Sequence, residues 1–219
     1  DGKRTAQAAI KIASDMVEEG LVTKSEAVMM VDPAQLDQIL HPQFDPTTKP
    51  ASFTKGVDAS PGAASGQVVF SSKDADEWAK AGKKVVLVRH ETSPEDIRGM
   101  AASEGILTTT GGKTSHAAIV GRQMGTPCVV GAGALELDYG KKQFRVGDTV
   151  VKEGDWISID GSTGEVMLGE VETMPSDVIR VLTGDIAPEK SELFGMFDNL
   201  MTWADEIRAL GVLTNADTP

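Results

Sequence analysis

Seven short apolar runs lie between Thr54 and Gly169, namely GQVVF, KVVLV, GILTT, PCVVG, DTVV, WISI and EVMLG, each bounded by Gly, Asp, Lys or Pro. Short apolar runs punctuated in this way by Gly and Asp are strand signals. Helical spacing lies between some of them, over 74–81, 94–101 and 115–124, whereas 140–169 reads as strand and turn only. The middle of the chain is therefore expected to be a mixed α/β domain. Aromatic residues make up only 5% of the chain and glycines number 23, so the core has to be built from aliphatic and small side chains joined by tight turns.

The flanks have a different period. Ala6, Ala9, Ile10, Ala13, Met16 and Val17 form one helical stripe over 3–19, with Gly20 placed to end it. Thr23 and Glu26 make a Thr-x-x-Glu capping box, and Asp32-Pro33 offers a cap followed by proline at the first helical position. The segment HPQFDPTTKPAS, 41–52, carries three prolines and no period, as a connection would. Beyond Gly169, Val178, Val181 and Leu182 form a short stripe. Pro188 then opens a longer pattern in which Leu193, Met196, Phe197, Leu200, Ala204 and Ile207 share a face and Gly211 closes it. Val212–Asn215 reads as a strand just begun. The expected organisation is a helical region over 1–52, an α/β domain over 53–170 and a helical segment over 171–219. The start at Asp1 and the unpartnered strand at the end are those expected of a piece of a longer chain.

Charge and composition remove several function classes. A formal net charge of −12 repels nucleic acid phosphate and anionic lipid, so neither is an expected partner. The single cysteine, Cys128, excludes an internal disulfide and any multi-cysteine metal site, fits a cytoplasmic setting, and reads as a buried thiol within PCVVG. The longest uninterrupted aliphatic run, Val85–Val88, falls far short of the roughly 20 residues of a membrane span. His41, His90 and His116 are too scattered for a metal site, and none is expected.

The stretch with chemistry in it is 105–131. A strand runs into Gly111-Gly112, Thr114 or Ser115 caps a helix whose first turn holds His116, and Gly125 stops that helix before the next strand. Strand, glycine turn and helix start form a recurrent anion site, because unpaired N–H groups and the positive end of the helix dipole converge there. That same end disfavours an imidazolium ion and so favours a ring with a free lone pair, which is a nucleophile. Gly111, Gly112 and Ser115 are the candidate cradle, and Arg122 joins them only if its long side chain reaches back. The competing reading of His116 is a polar residue tolerated at a surface turn, and for His41 and His90 the structural reading is preferred. Gly112-Lys113-Thr114 ends like a P-loop, but Leu107 stands where its leading glycine belongs.

GGKTSHAAIVGRQMGTPCVVG resembles the phosphohistidine signature of phosphoenolpyruvate-utilising enzymes, and ASPGAASGQVVF is similar to the usual entry into that domain. Ser115 stands where the synthase branch has Cys, and Ala117-Ala118 where the sugar-phosphotransferase branch has Thr-Ser. GKRTAQAAIKIASDMVEEGLVTKSEAV, VDPAQLDQILHP, VLVRHETSPEDIRGM and MTWADEIRALGVLTNADTP resemble the pyruvate, phosphate dikinases, so the likeness covers essentially the whole chain.

The resemblance implies a swivelling β/β/α phosphohistidine domain over 53–170. The residues on either side would be linkers, the last of them leading into a (β/α) barrel. It implies that His116 takes the β-phosphoryl group of ATP on Nε2, that orthophosphate accepts the γ-phosphoryl, and that pyruvate becomes phosphoenolpyruvate. The partners would be nucleotide-binding and phosphoenolpyruvate/pyruvate-binding domains of the same chain, as a homodimer, with Mg²⁺ held by those domains; this chain alone would not turn over. Thr108–Thr110 are positioned to orient Nδ1. Thr114 matches a threonine that a regulatory kinase/phosphorylase modifies, its other role being the helix cap, and Lys113 replaces a common Met. The alternatives are the phosphocarrier of a phosphoenolpyruvate synthase and an inert docking domain.

Overall fold

The computed structural model describes residues 6–44 and 50–211, apart from the side chain of Ala34. The chain divides into two compact units, residues 1–40 with 176–219, and residues 41–175. In the first unit, α1 (Ala6–Glu18) ends at Gly20, whose φ of +70° is the left-handed turn that glycine allows. Thr23 and Glu26 form the expected reciprocal box at the start of α2 (Lys24–Met30), and α3 (Pro33–Leu40) begins at its proline.

The second unit opens with three short strands, β1 (Gln43–Phe44), β2 (Thr54–Lys55) and β3 (Val57–Ser60). A parallel core follows: β4 (Ala63–Val69), α4 (Ser72–Lys80), β5 (Val85–Arg89), α5 (Ile97–Ala102), β6 (Gly105–Thr108), α6 (His116–Met124) and β7 (Cys128–Val130). Then come β8 (Glu136–Asp138), β9 (Gln143–Val146), β10 (Thr149–Lys152), β11 (Trp156–Asp160), β12 (Glu165–Leu168) and β13 (Thr173–Met174). Eight of these form one sheet in the order β2-β12-β11-β4-β5-β6-β7-β3. The four central strands are parallel and the outer ones antiparallel. All seven predicted runs are strands. Outside the named runs the structure adds β1, β2, β3, β8, β9 and β13, each two to four residues long, of which β9 falls in the 140–169 stretch expected to be strand and turn.

Three layers result. Val85 and Leu87 face a cluster with Ala75, Met100, Ala117 and Ala118 from α4, α5 and α6, while Val86 and Val88 face a second cluster with Leu107, Ile157, Ile159 and Phe144. Phe144 belongs to the antiparallel sheet β10-β9-β8, which covers that second face. Val85 through Val88 are all fully buried, each worth about 1.5–3 kcal/mol of apolar transfer, which is why KVVLV shows no alternation. The order sheet, sheet, helices is the expected β/β/α layering. β1 pairs antiparallel with β13, so the segments entering and leaving the unit run side by side.

The first unit is completed by α7 (Asp177–Leu182) and α8 (Glu192–Ile207), which bury Val178 and Leu200 against Ile10, Ala13, Ala27 and Ile39. The Ser176 hydroxyl donates to the Ile39 carbonyl. Two expectations at α8 need correction. Pro188–Lys190 is a separate 3-10 turn, because the Ser191 hydroxyl accepts from Phe194 N–H at 3.0 Å and starts the helix there. The helix ends at Ile207, since Arg208 is already extended, so Gly211 is not its terminator. The expected strand at Val212–Asn215 lies outside the described residues. Among the described residues no helix is long and apolar enough to cross a membrane.

Candidate functional site

β5 and β6 are adjacent and parallel, so the loops after them leave the same edge of the sheet. That edge, at the carboxyl ends of parallel strands, is where open α/β sheets bind ligands. The loop after β6 turns at Gly111, with φ +100°, and Ser115 closes it as the cap of α6. Ser115 Oγ accepts from Ala118 N–H at 3.4 Å, so Ser115 and not Thr114 holds the capping role. Thr114 is left exposed beside it. With Ala118 capped, the N–H groups of His116 and Ala117 have no acceptor among the described residues. Gly125, with φ +68°, ends α6 as expected.

His116 is the first residue of α6 and lines a cavity of about 210 Å³ with Thr92, Thr108, Thr110, Gly111 and Glu91. Its Nδ1 lies 3.0 Å from Thr92 Oγ1. A hydroxyl that accepts from Nδ1–H leaves the lone pair on Nε2, and Nε2 has no partner among the described residues. Thr92 is itself held: it is 8% exposed, and the next residue, Ser93, donates its N–H to Asp96 Oδ2 at 2.9 Å. The ring is thus fixed from one side and open on the other.

Thr92 replaces the expected orienting group. Thr108 Oγ1 donates to the Thr110 carbonyl at 2.7 Å, Thr109 Oγ1 meets His90 Nδ1 at 2.7 Å, and Thr110 Oγ1 donates to the His90 carbonyl at 2.8 Å. Thr109 and Thr110 brace the loop through His90, in keeping with the structural role the sequence suggested for that histidine, while Thr108 ties the loop to itself. A second and larger cavity, about 390 Å³, lies on the other side of Thr110 between His90 and Tyr139. His90 lines it with its Nδ1 likewise held by a threonine hydroxyl, but no helix start with free N–H groups does, so its size does not make it the better site.

Arg122 does not point into the cavity. Its guanidinium donates to the Ala59 carbonyl at 2.7 Å and the Lys113 carbonyl at 2.8 Å, tying the glycine loop to β3. Lys113 Nζ lies 2.8 Å from Asp58, a half-exposed surface pair of the kind worth about 1 kcal/mol or less. Cys128 is fully buried, and burial pushes its thiol up to about 12, so it remains a neutral core residue. Among the described residues there is no group of three or more His, Cys, Asp or Glu that could hold a metal ion.

Residues 81–164 match the family described as the mobile domain of PEP-utilising enzymes. Over the whole chain, pyruvate, phosphate dikinase of Rhizobium meliloti (strain 1021) is 51% identical across 218 residues, which is 23% of that protein. The chloroplastic pyruvate, phosphate dikinase 1 of Arabidopsis thaliana is 50% identical, with 100% of this chain and 21% of that one covered. Pyruvate, phosphate dikinase of Clostridium symbiosum is 47% identical, again over 100% of this chain and 24% of its own length. This chain therefore spans less than a quarter of the length of these curated relatives. An NMR solution structure of Enzyme I (nEIt) is 31% identical over 39% of this chain and 30% of its own, at a TM-score of 0.29.

Proposed function

We propose, from the membership of residues 81–164 in the mobile-domain family of PEP-utilising enzymes and the kinship of the whole chain with pyruvate, phosphate dikinases, that this protein is a phosphocarrier in which His116 is the nucleophile. The observation that carries the reading is the Thr92 hydroxyl 3.0 Å from His116 Nδ1, which leaves Nε2 without a partner among the described residues on a ring that lines a cavity at a helix start. Nε2 offers its lone pair to phosphorus. The N–H groups of His116 and Ala117, and the positive end of α6, are donors for the negative charge gained.

In this reading His116 takes the β-phosphoryl group of ATP, orthophosphate takes the γ-phosphoryl to give pyrophosphate, and the histidine passes its group to pyruvate. The products are AMP, pyrophosphate and phosphoenolpyruvate, reversibly. Residues 53–170 are the carrier, which swivels between a nucleotide-binding and a phosphoenolpyruvate/pyruvate-binding domain. The flanking segments, 1–52 and 171–219, are linkers. The joints such a movement needs lie within 41–52 and 171–186, outside the paired strands β1 and β13 and the packed helix α7. Mg²⁺ belongs to those other domains, and no step performed by these residues runs through it. A cytoplasmic homodimer is the assembly proposed. Thr114, exposed and relieved of the capping role, is the proposed site of a regulatory kinase/phosphorylase. A phosphate there would place a dianion two residues from the nucleophile and compete for the same N–H donors.

The test is to incubate the full-length protein with phosphoenolpyruvate and Mg²⁺ and map phosphate by mass. One acid-labile phosphate on His116 is expected. No phosphate would leave only a docking domain; in a second arm with ATP, orthophosphate, pyruvate and Mg²⁺, pyrophosphate is expected as product, and release of orthophosphate without pyrophosphate would place the protein with the synthases. The Thr92 contact adds a graded expectation. Thr92→Val keeps the shape but removes a hydrogen bond worth about 1 kcal/mol, so the rate of His116 phosphorylation should fall about five- to tenfold while Thr92→Ser stays near the parent. Equal rates in Thr92→Val and parent would show that the ring needs no anchor.

A further inference from the structure

The cavity at His116 contains one other ionisable side chain, Glu91. Glu91 is exposed, follows the His90 that braces the loop, and has no ion-pair partner among the described residues. The neighbouring cations are committed elsewhere. Lys113 is paired with Asp58, and Arg122 is spent on the carbonyls of Ala59 and Lys113. Arg89 donates to the Phe70 carbonyl and lies 3.6 Å from Asp96. His90 is bonded to Thr109 on the far side of Thr110. No Lys or Arg lines the cavity, so a phosphoryl group on Nε2 would meet neutral hydroxyl and N–H donors and one carboxylate there.

We propose that Glu91 tunes the phosphoryl transfer potential of His116. This rests on the carrier reading given above. A carboxylate beside a phosphoryl dianion raises the free energy of the loaded state and leaves the empty state untouched. In unloading, the P–Nε2 bond breaks, its electron pair returns to Nε2, and phosphorus bonds to an acceptor oxygen; Glu91 favours that direction without touching the reacting atoms. A carrier has to give up its group as easily as it takes it, and a tight cationic cradle would trap it. On this view the cations that favour loading are supplied by the sites His116 visits.

The inference can be tested apart from any partner domain. Potassium phosphoramidate loads histidine chemically: its P–N bond breaks, ammonia leaves and the P–Nε2 bond forms. With the 219-residue chain loaded this way and the phosphate mapped to His116, phosphorus NMR follows the second ionisation of the phosphoryl group. Glu91→Gln should lower that midpoint by about half a pH unit, a threefold change, because the dianion is no longer opposed. Glu95→Gln, exposed and outside the cavity, should not move it, and the Glu91 difference should shrink in about 1 M NaCl. In the full-length protein the loading equilibrium with phosphoenolpyruvate and pyruvate should shift about threefold toward the loaded form in Glu91→Gln. An unchanged or raised midpoint in Glu91→Gln would overturn the proposal. A full-length protein that never loads from phosphoenolpyruvate, with the midpoint shift still present in the chemically loaded chain, would instead sink the carrier reading.

Discussion

His116→Gln is expected to take up at least about a thousandfold less acid-labile phosphate from phosphoenolpyruvate than the parent full-length protein, with the thermal melt of the chain unchanged. The two halves of that expectation have separate grounds. Glutamine is a good helix former at the first position of α6, and its amide can still meet Thr92 Oγ1, so packing around Ala117 and Ala118 is kept. The amide nitrogen has its lone pair delocalised into the carbonyl and cannot attack phosphorus. Everything else at the site remains: the free N–H groups, the helix end and the cavity. The variant therefore separates binding an anion from accepting one covalently. Incorporation within about tenfold of the parent would mean that another residue carries the group, and mass mapping would then identify it.

How much of this could be read without coordinates depends on the distance along the chain over which each feature is determined. KVVLV and GILTT announce buried strands because a parallel strand covered on both faces has no polar side to show. The loop, cap and stop of α6 were also legible, because Gly111, Ser115 and Gly125 act on residues within four positions of themselves. Thr92 was not. It stands 24 residues from His116 and meets it only because β5 and β6 lie side by side, so that both following loops emerge together. The pattern did hold a signal for it: polar residues following the strand next in line were the place to look for a partner. The roles of Arg122 and Lys113 were out of reach for the same reason, since Ala59 and Asp58 sit on β3, at the other end of the unit's sequence.

The two glycines before His116 should behave differently, although they are adjacent. Gly111 has a φ of +100°, and a Cβ there would lie 2.9 Å from Ser115 Cβ and 3.0 Å from Ser115 Oγ. Gly112 has no positive φ, and a Cβ there meets nothing within 4 Å. Gly111→Ala must therefore adopt a left-handed conformation costing about 1–2 kcal/mol and displace the residue that caps α6, which is worth about 1 kcal/mol more. Ser115 is not the loose end of a flexible side chain; it directly precedes His116, so its displacement moves the imidazole away from Thr92. We expect Gly111→Ala to lose about 2–3 kcal/mol of stability and phosphorylate His116 about ten- to hundredfold more slowly, while Gly112→Ala stays within about 0.5 kcal/mol and near the parental rate. Denaturant melts together with phosphate incorporation decide it. Equal losses in both variants would show that the loop is generally intolerant of side chains rather than bent at one residue, and the link from Gly111 through Ser115 to the imidazole would be wrong.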